Sequence, residues 1–179
     1  KGQRTTKTAI ELLLVTGLRT IELRGAAWGE IDWEARVWTV PASRMKRRIE
    51  HAIPLSSQAM ALLAELRLLT GGKGWLFKNQ RRPEHYMAST TLNAAFGYMG
   101  LADDGWFRSH GARGTFSTWA YEAGYRTEAV EGQLAHQEKD AVKRAYSKAQ
   151  FWPERVLMMQ AWGDYLTSVR QPATALQAA

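Results

Sequence analysis

The chain has 179 residues, 45% of them hydrophobic, and no cysteine. That length and apolar content fit one folded domain with a sizeable core, while the missing cysteine excludes disulfides, thiolate catalysis and cysteine-ligated zinc. Lysine and arginine number 24 against 17 acidic residues, a net charge of +7, which points to a polyanionic partner, either nucleic acid or an anionic membrane surface.

No apolar run approaches the ~20 residues that span a bilayer. The opening KGQRTTKTAIELLLVTG is basic and then apolar, but Glu11 interrupts it and no small-residue cleavage site follows, so it does not read as a signal peptide. It starts at the edge of a helix pattern, which suggests a domain excised from a longer protein.

Thr6–Thr16 reads as a helix stopped by Gly17, followed by a short helix over Thr20–Ala26. Ile31–Val40 (IDWEARVWTV) reads as a hairpin turning at Glu34-Ala35, and His51–Leu55 as a further strand. Between them lies a cationic cluster, Arg44–Arg48. Ser56–Thr70 is an amphipathic helix capped by Ser56 or Ser57 and stopped by Gly71-Gly72. Leu76-Phe77 suggests a short extended piece, Ser89–Gly100 a helix and Ala102–Gly105 a turn. Asp103-Asp104, before Gly105, reads as part of that turn rather than as a metal pair. Helices are expected over His110–Ala123, Thr127–Leu134 and Asp140–Tyr146. A last helix has Pro153 as its first residue and runs to about Ser168. The tail QPATALQAA has no charge and little periodicity and reads as frayed or partner-bound. The expected class is mainly α with a small antiparallel β-sheet (α+β).

Three segments carry candidate chemistry. In FRSHGARGTFSTWAYEAG, His110, Arg113 and Ser117 share one helix face, opposite Ala112, Phe116, Trp119 and Ala123. A histidine and an arginine one turn apart can aim donors at one anion, or simply line a solvated face. In TGLRTIEL, Arg19 follows Gly17 in a tight turn, and Glu22 can pair with it and fix its direction. An ordinary surface pair has the same spacing. In LAHQEKDAVKRAYSKA, His136 lies in a turn, and Tyr146 comes ten residues later among Lys139, Lys143 and Arg144. Nearby cations favour phenolate over phenol, although a half-buried core tyrosine fits the same pattern.

Taken in order, TGLR-x-x-EL, a lysine before an I-P-L strand, H-x-x-R-x-T-F, L-x-H and a tyrosine ten residues on closely resemble the tyrosine recombinases of the phage-integrase type. The resemblance runs from Thr16 to about Leu166. RMKRRIEHAIPLS and LAHQEKDAVKRAYSKAQF are most similar to prophage integrases. It implies that Arg19 and Arg113 grip the scissile phosphate, and that Lys46, on the sheet turn, protonates the leaving 5′-hydroxyl. His110 would serve proton transfer with Tyr146, His136 would hydrogen-bond the phosphate, and Tyr146 would attack phosphorus. A 3′-phosphotyrosyl link stores the bond energy, so no metal or cofactor is expected.

Two departures stand out. Ala112 and Gly114 occupy positions where many members have larger residues. Ala135 replaces the glycine of Leu-Gly-His, which matters if that turn needs a positive φ.

The resemblance further implies duplex DNA at attachment sites as partner, with Lys73, Lys78, Arg81 and Arg82 tracking its backbone. It implies a monomer when free, self-association into a tetramer on DNA, and a directionality factor as a further partner. It places the protein on chromosomal DNA in the bacterial cytoplasm, with no membrane partner. The catalytic domain is expected over residues 1–170, with 171–179 as a flexible tail and N-terminal DNA-binding domains absent. Val156, Leu157, Met159, Trp162 and Leu166 on the last helix suit either core packing or docking onto a neighbouring subunit. The rival readings are a type IB topoisomerase that relaxes DNA and a DNA-binding module without chemistry.

Overall fold

A computed structural model describes residues 4–46, 48–100, 111–136 and 151–170. His110, Tyr146, Arg47, the Ala102–Gly105 turn, the helix expected over Asp140–Tyr146 and the tail lie outside the described residues.

Helix α1 (Arg4–Thr16) buries Ala9, Leu12, Leu13 and Val15. It ends where Gly17 takes a left-handed φ of +66°, a conformation that glycine adopts without the penalty a Cβ brings. Helix α2 (Thr20–Arg24) stops at Gly25, two residues short of the sequence expectation. The sheet follows as β1 (Ile31–Asp32), β2 (Val37–Val40) and β3 (His51–Pro54), antiparallel in the order β1-β2-β3. Ile31 faces Trp38 and Thr39 faces Ala52. The Asp32 carboxylate accepts the Ala35 N–H at 2.8 Å and sets the hairpin turn.

Helix α3 (Ser57–Thr70) has Ser56 as its N-cap, the hydroxyl accepting the Ala59 N–H at 3.3 Å, and closes at Gly71 with φ +80°. Leu76 and Phe77 are buried but form no strand. Single bridges join Ala27 to Trp75 and Lys78 to Tyr86 instead. Then come α4 (Thr90–Tyr98), α5 (Gly111–Glu122), α6 (Thr127–Gln133) and α7 (Trp152–Arg170).

One apolar cluster joins α1, the sheet, α3 and α4, and a second joins α5, α6 and α7, with Leu166 packed against both. Trp162 lies at the centre of the second, 5.0 Å from Trp119 and 5.7 Å from Phe116 between ring centroids. Its indole N–H donates to the Leu14 carbonyl of α1 at 2.9 Å. Burying a large side chain such as Phe116 or Met158 contributes about 1.5–3 kcal/mol. Helix α7 therefore serves the core through Met159 and Trp162, while Val156 and Leu157 stay 42% and 68% exposed. Ala123 also departs from expectation: it is exposed, because α5 ends at Glu122, and Ala120 takes the core position.

Candidate active site

The site is organised by the C-terminal end of α6. After Gln133 the helix closes with the Ala135 N–H on the Gly132 carbonyl (3.3 Å) and the His136 N–H on the Glu131 carbonyl (2.9 Å). These are the two bonds of a Schellman closure, whose left-handed residue here is Ala135, at φ +51°. The departure from Leu-Gly-His therefore falls on the residue that needs a positive φ. A left-handed turn costs a residue with a Cβ about 1–2 kcal/mol, while glycine loses more backbone entropy on folding. Ala135→Gly is expected to raise stability by about 0.5–1 kcal/mol in chemical denaturation. Unchanged or lower stability would mean the turn carries no strain.

The closure leaves two carbonyls facing outward, and both are used. Leu134 O accepts Arg113 Nη2 at 2.6 Å and Arg19 Nη2 at 3.3 Å, so an arginine of α5 and one just ahead of α2 converge on one acceptor at the negative end of a helix. Gln133 O accepts His51 Nε2 at 3.0 Å from β3.

Arg113 reaches α6 from the first turn of α5 and also donates to Gly17 O at 2.6 Å. The left-handed turn at Gly17 is thus part of the site. Arg113 is 5% exposed and does not lie on the solvated face that its helix position suggests. Arg19 is fixed as expected: Glu22 takes its Nη1 at 2.7 Å and its backbone N–H at 2.8 Å. Among the described residues, these bonds use two of the five N–H donors on each guanidinium. Burial, and then the charge of Arg19, lower the Arg113 pKa to about 10, against the pull of Glu22 and Glu131. Arg113 thus stays cationic at neutral pH, and two guanidiniums so placed repel one another, a repulsion that an entering anion relieves.

His136 is half exposed, and its Nδ1 lies 3.0 Å from the Glu131 carboxylate. Glu131 is held in turn by the Tyr121 hydroxyl, which donates to it at 2.9 Å. Burial first, then the bond to Glu131 and its charge, raise the Tyr121 pKa, so the phenol keeps its proton.

Lys46 lies on the connection between β2 and β3, exposed, in a turn closed by the Arg48 N–H on Met45 O at 3.0 Å. The sequence places it in a cationic cluster, within which Arg44 has a partner of its own. Its guanidinium turns inward as a fork onto both oxygens of Glu30, which also accepts the Ala27 N–H and the Trp38 indole N–H, each at 3.1 Å. Arg44 thus anchors the loop, with buried Met45 beside it. Lys73, Lys78, Arg81 and Arg82 are exposed, and the Asn79 side chain accepts the backbone N–H groups of Arg81 and Arg82 in a tight turn.

Sequence reasoning passed over a buried knot beneath the site. Arg155 of α7 donates to Gln133 Oε1 through Nε at 3.2 Å and Nη2 at 2.9 Å, and to Ala52 O at 2.7 Å. Gln133 Nε2 donates to Thr16 O at 3.1 Å. The knot ties α1, β3, α6 and α7 at the residue next to Leu134. Burial lowers the Arg155 pKa to about 10, and its guanidinium lies 5.0 Å from the Trp152 ring centroid. The available signal was a charge on the same helical stripe as Met158, Met159 and Trp162. Arg155→Ala orphans Gln133 Oε1 and the Ala52 carbonyl, and is expected to cost about 3 kcal/mol in urea denaturation. A loss under about 1 kcal/mol would make the knot incidental.

The sequence model of the Phage integrase family matches residues 1–151. The prophage integrase IntA of Escherichia coli is 40% identical over 151 residues, covering 84% of this chain and 36% of that protein. The integrase of Enterobacteria phage P4 is 35% identical over 190 residues, covering 98% and 43% respectively. The chain belongs to the phage integrase family. It spans less than half the length of each of these relatives. Among solved structures, the integrase from mycobacterium phage Brujita shares the fold with a TM-score of 0.69 at 20% identity, over 89% of this chain and 52% of that one. The Tn1549 transposon integrase, in complex with a circular intermediate DNA, has a TM-score of 0.62 at 18% identity, over 83% of this chain and 55% of that one.

Proposed function

We propose that this chain is the catalytic part of a site-specific recombinase that cuts and rejoins duplex DNA through a 3′-phosphotyrosyl link to Tyr146. The observation that carries the reading is the convergence of Arg19 and Arg113 on the Leu134 carbonyl, next to His136. Two permanently charged forks at a helix end suit a phosphate, whose nonbridging oxygens gain negative charge in the transition state. Lys46 acts as general acid on the leaving 5′-hydroxyl, His136 hydrogen-bonds the phosphate, and His110 exchanges the proton of Tyr146.

The exposed Lys73, Lys78, Arg81 and Arg82 bind the DNA backbone, so affinity falls steeply with salt. Attachment-site DNA is the substrate, on the chromosome in the bacterial cytoplasm. The free chain is a monomer that forms a tetramer on DNA through the exposed Val156 and Leu157 of α7, and a directionality factor biases the outcome. Residues 1–170 form the catalytic domain, and DNA-binding domains N-terminal to it complete the longer protein. The integrase structure containing a circular intermediate DNA supports DNA as the partner.

The test is a suicide duplex that loses its 5′-hydroxyl strand on cleavage and so traps the covalent adduct. A denaturation-resistant protein–DNA band is the expected result. Stable binding without adduct would favour the non-catalytic module. Adduct with supercoil relaxation but no exchange between two sites would favour topoisomerase chemistry.

A further inference from the structure

The contact between His136 and Glu131 fixes more than a direction. At 3.0 Å from a carboxylate oxygen, an unprotonated Nδ1 would set one lone pair against another, so Nδ1 carries the hydrogen. In the neutral ring, Nε2 is then bare. A diester phosphate has no proton to offer such a nitrogen, and its oxygens would repel the lone pair. His136 can meet a phosphate oxygen only after Nε2 gains a proton from solvent, which makes the ring an imidazolium between Glu131 and the phosphate.

Glu131 is built to hold that state. It occupies the helix position whose own carbonyl accepts the His136 N–H, so main chain and side chain grip the same residue. Its second oxygen accepts the Tyr121 hydroxyl at 2.9 Å, which pins the carboxylate against α5.

We infer that Glu131, braced by Tyr121, is a positioning residue that keeps a proton on His136 Nδ1 and so presents His136 to the scissile phosphate as an imidazolium. The inference rests on the placement of His136 at the phosphate proposed above, and adds the charge state and the residues that impose it.

Side-chain 15N NMR of the free protein reads the first half. Neutral His136 is expected as the Nδ1–H tautomer, with Glu131→Ala shifting it toward Nε2–H. On adding the cleavage-site duplex, both nitrogens should become protonated. Single-turnover cleavage of the suicide duplex reads the second half. Glu131→Gln should slow cleavage about tenfold, the scale on which outer partners of a working imidazole act, and Tyr121→Phe by a few-fold. In a His136→Gln background, Glu131→Gln should have no further effect, whereas a role in helix stability alone would give the same factor in both backgrounds.

A neutral His136 protonated on Nε2 in wild type, or equal slowing in both backgrounds, overturns the inference. If wild type forms no adduct at all, the catalytic reading falls instead. The tautomer in the free protein and its response to the duplex then still decide whether Glu131 holds His136 as stated.

Discussion

Arg113→Ala is expected to slow cleavage of the suicide duplex by about a hundred- to a thousandfold, the usual effect of removing one preorganised donor from a developing oxyanion. Duplex binding should fall far less, because Lys73, Lys78, Arg81 and Arg82 remain. The substitution has a second effect that must be separated from the first. Arg113 is buried and serves the carbonyls of Gly17 and Leu134, so the alanine also orphans acceptors and lowers stability. Arg19→Ala is the cleaner partner experiment. Arg19 is more exposed than Arg113, and Leu134 O keeps its bond from Arg113 when Arg19 is lost. Arg113→Lys tests the fork itself, since an ammonium keeps the charge but cannot span two acceptors in the same way. Single-turnover rates, duplex affinity and melting temperature should be measured on all of these variants. Equal proportional losses of binding and cleavage in Arg19→Ala would refute a role specific to the scissile phosphate.

Tyr146→Phe is expected to form no covalent adduct at any time, while binding the same duplex with affinity near that of wild type. In the proposed reaction the change removes only the oxygen that forms the bond to phosphorus. The remaining cations still bind the phosphate but have nothing to transfer it to, and the donors around a missing nucleophile do not generate a new one. An adduct that persists in Tyr146→Phe would move the nucleophile elsewhere, with Tyr121, Tyr125 and Tyr165 the first to exchange. Of these, Tyr121 already donates its hydroxyl to Glu131. Tyr125 is held back by burial, then by the charge of Glu154, both of which raise its pKa.

What could be read from the residues divides along local and non-local lines. Helices α1 and α3 were legible because their signals are local: an apolar stripe, a serine cap at Ser56, and glycines that accept a left-handed φ at Gly17 and Gly71. The hairpin was legible from the tryptophans and valines of Ile31–Val40 on either side of the turn at Glu34-Ala35. Leu76-Phe77 was legible only as a short extended piece, and its partners, Ala26 and Met87, were not, because neither is near it in a strand pattern.

The Arg19–Glu22 pair lies three residues apart and was readable. The burial of Arg113 was not, because its acceptors at Gly17 and Leu134 are distant in sequence. Helix periodicity assigns a face but not what covers it. Arg44 was read only as a member of a cationic cluster for the same reason: its carboxylate partner, Glu30, sits fourteen residues away in sequence. The left-handed turn at Ala135 was legible only as a condition on Leu-Ala-His, and its φ meets that condition.

Helix α6 also acts as a gauge block. Its last turn sets the Leu134 carbonyl against two guanidiniums, offers the Gln133 carbonyl to His51, and aims His136. One residue inserted before Gln133 would rotate everything beyond it by ~100° and advance it by ~1.5 Å. Arg19, Arg113 and His136 would lose their registration together, without any of them being altered. An exposed side chain such as that of Glu128 can vary without this effect, but the count of residues between Thr127 and Gln133 cannot.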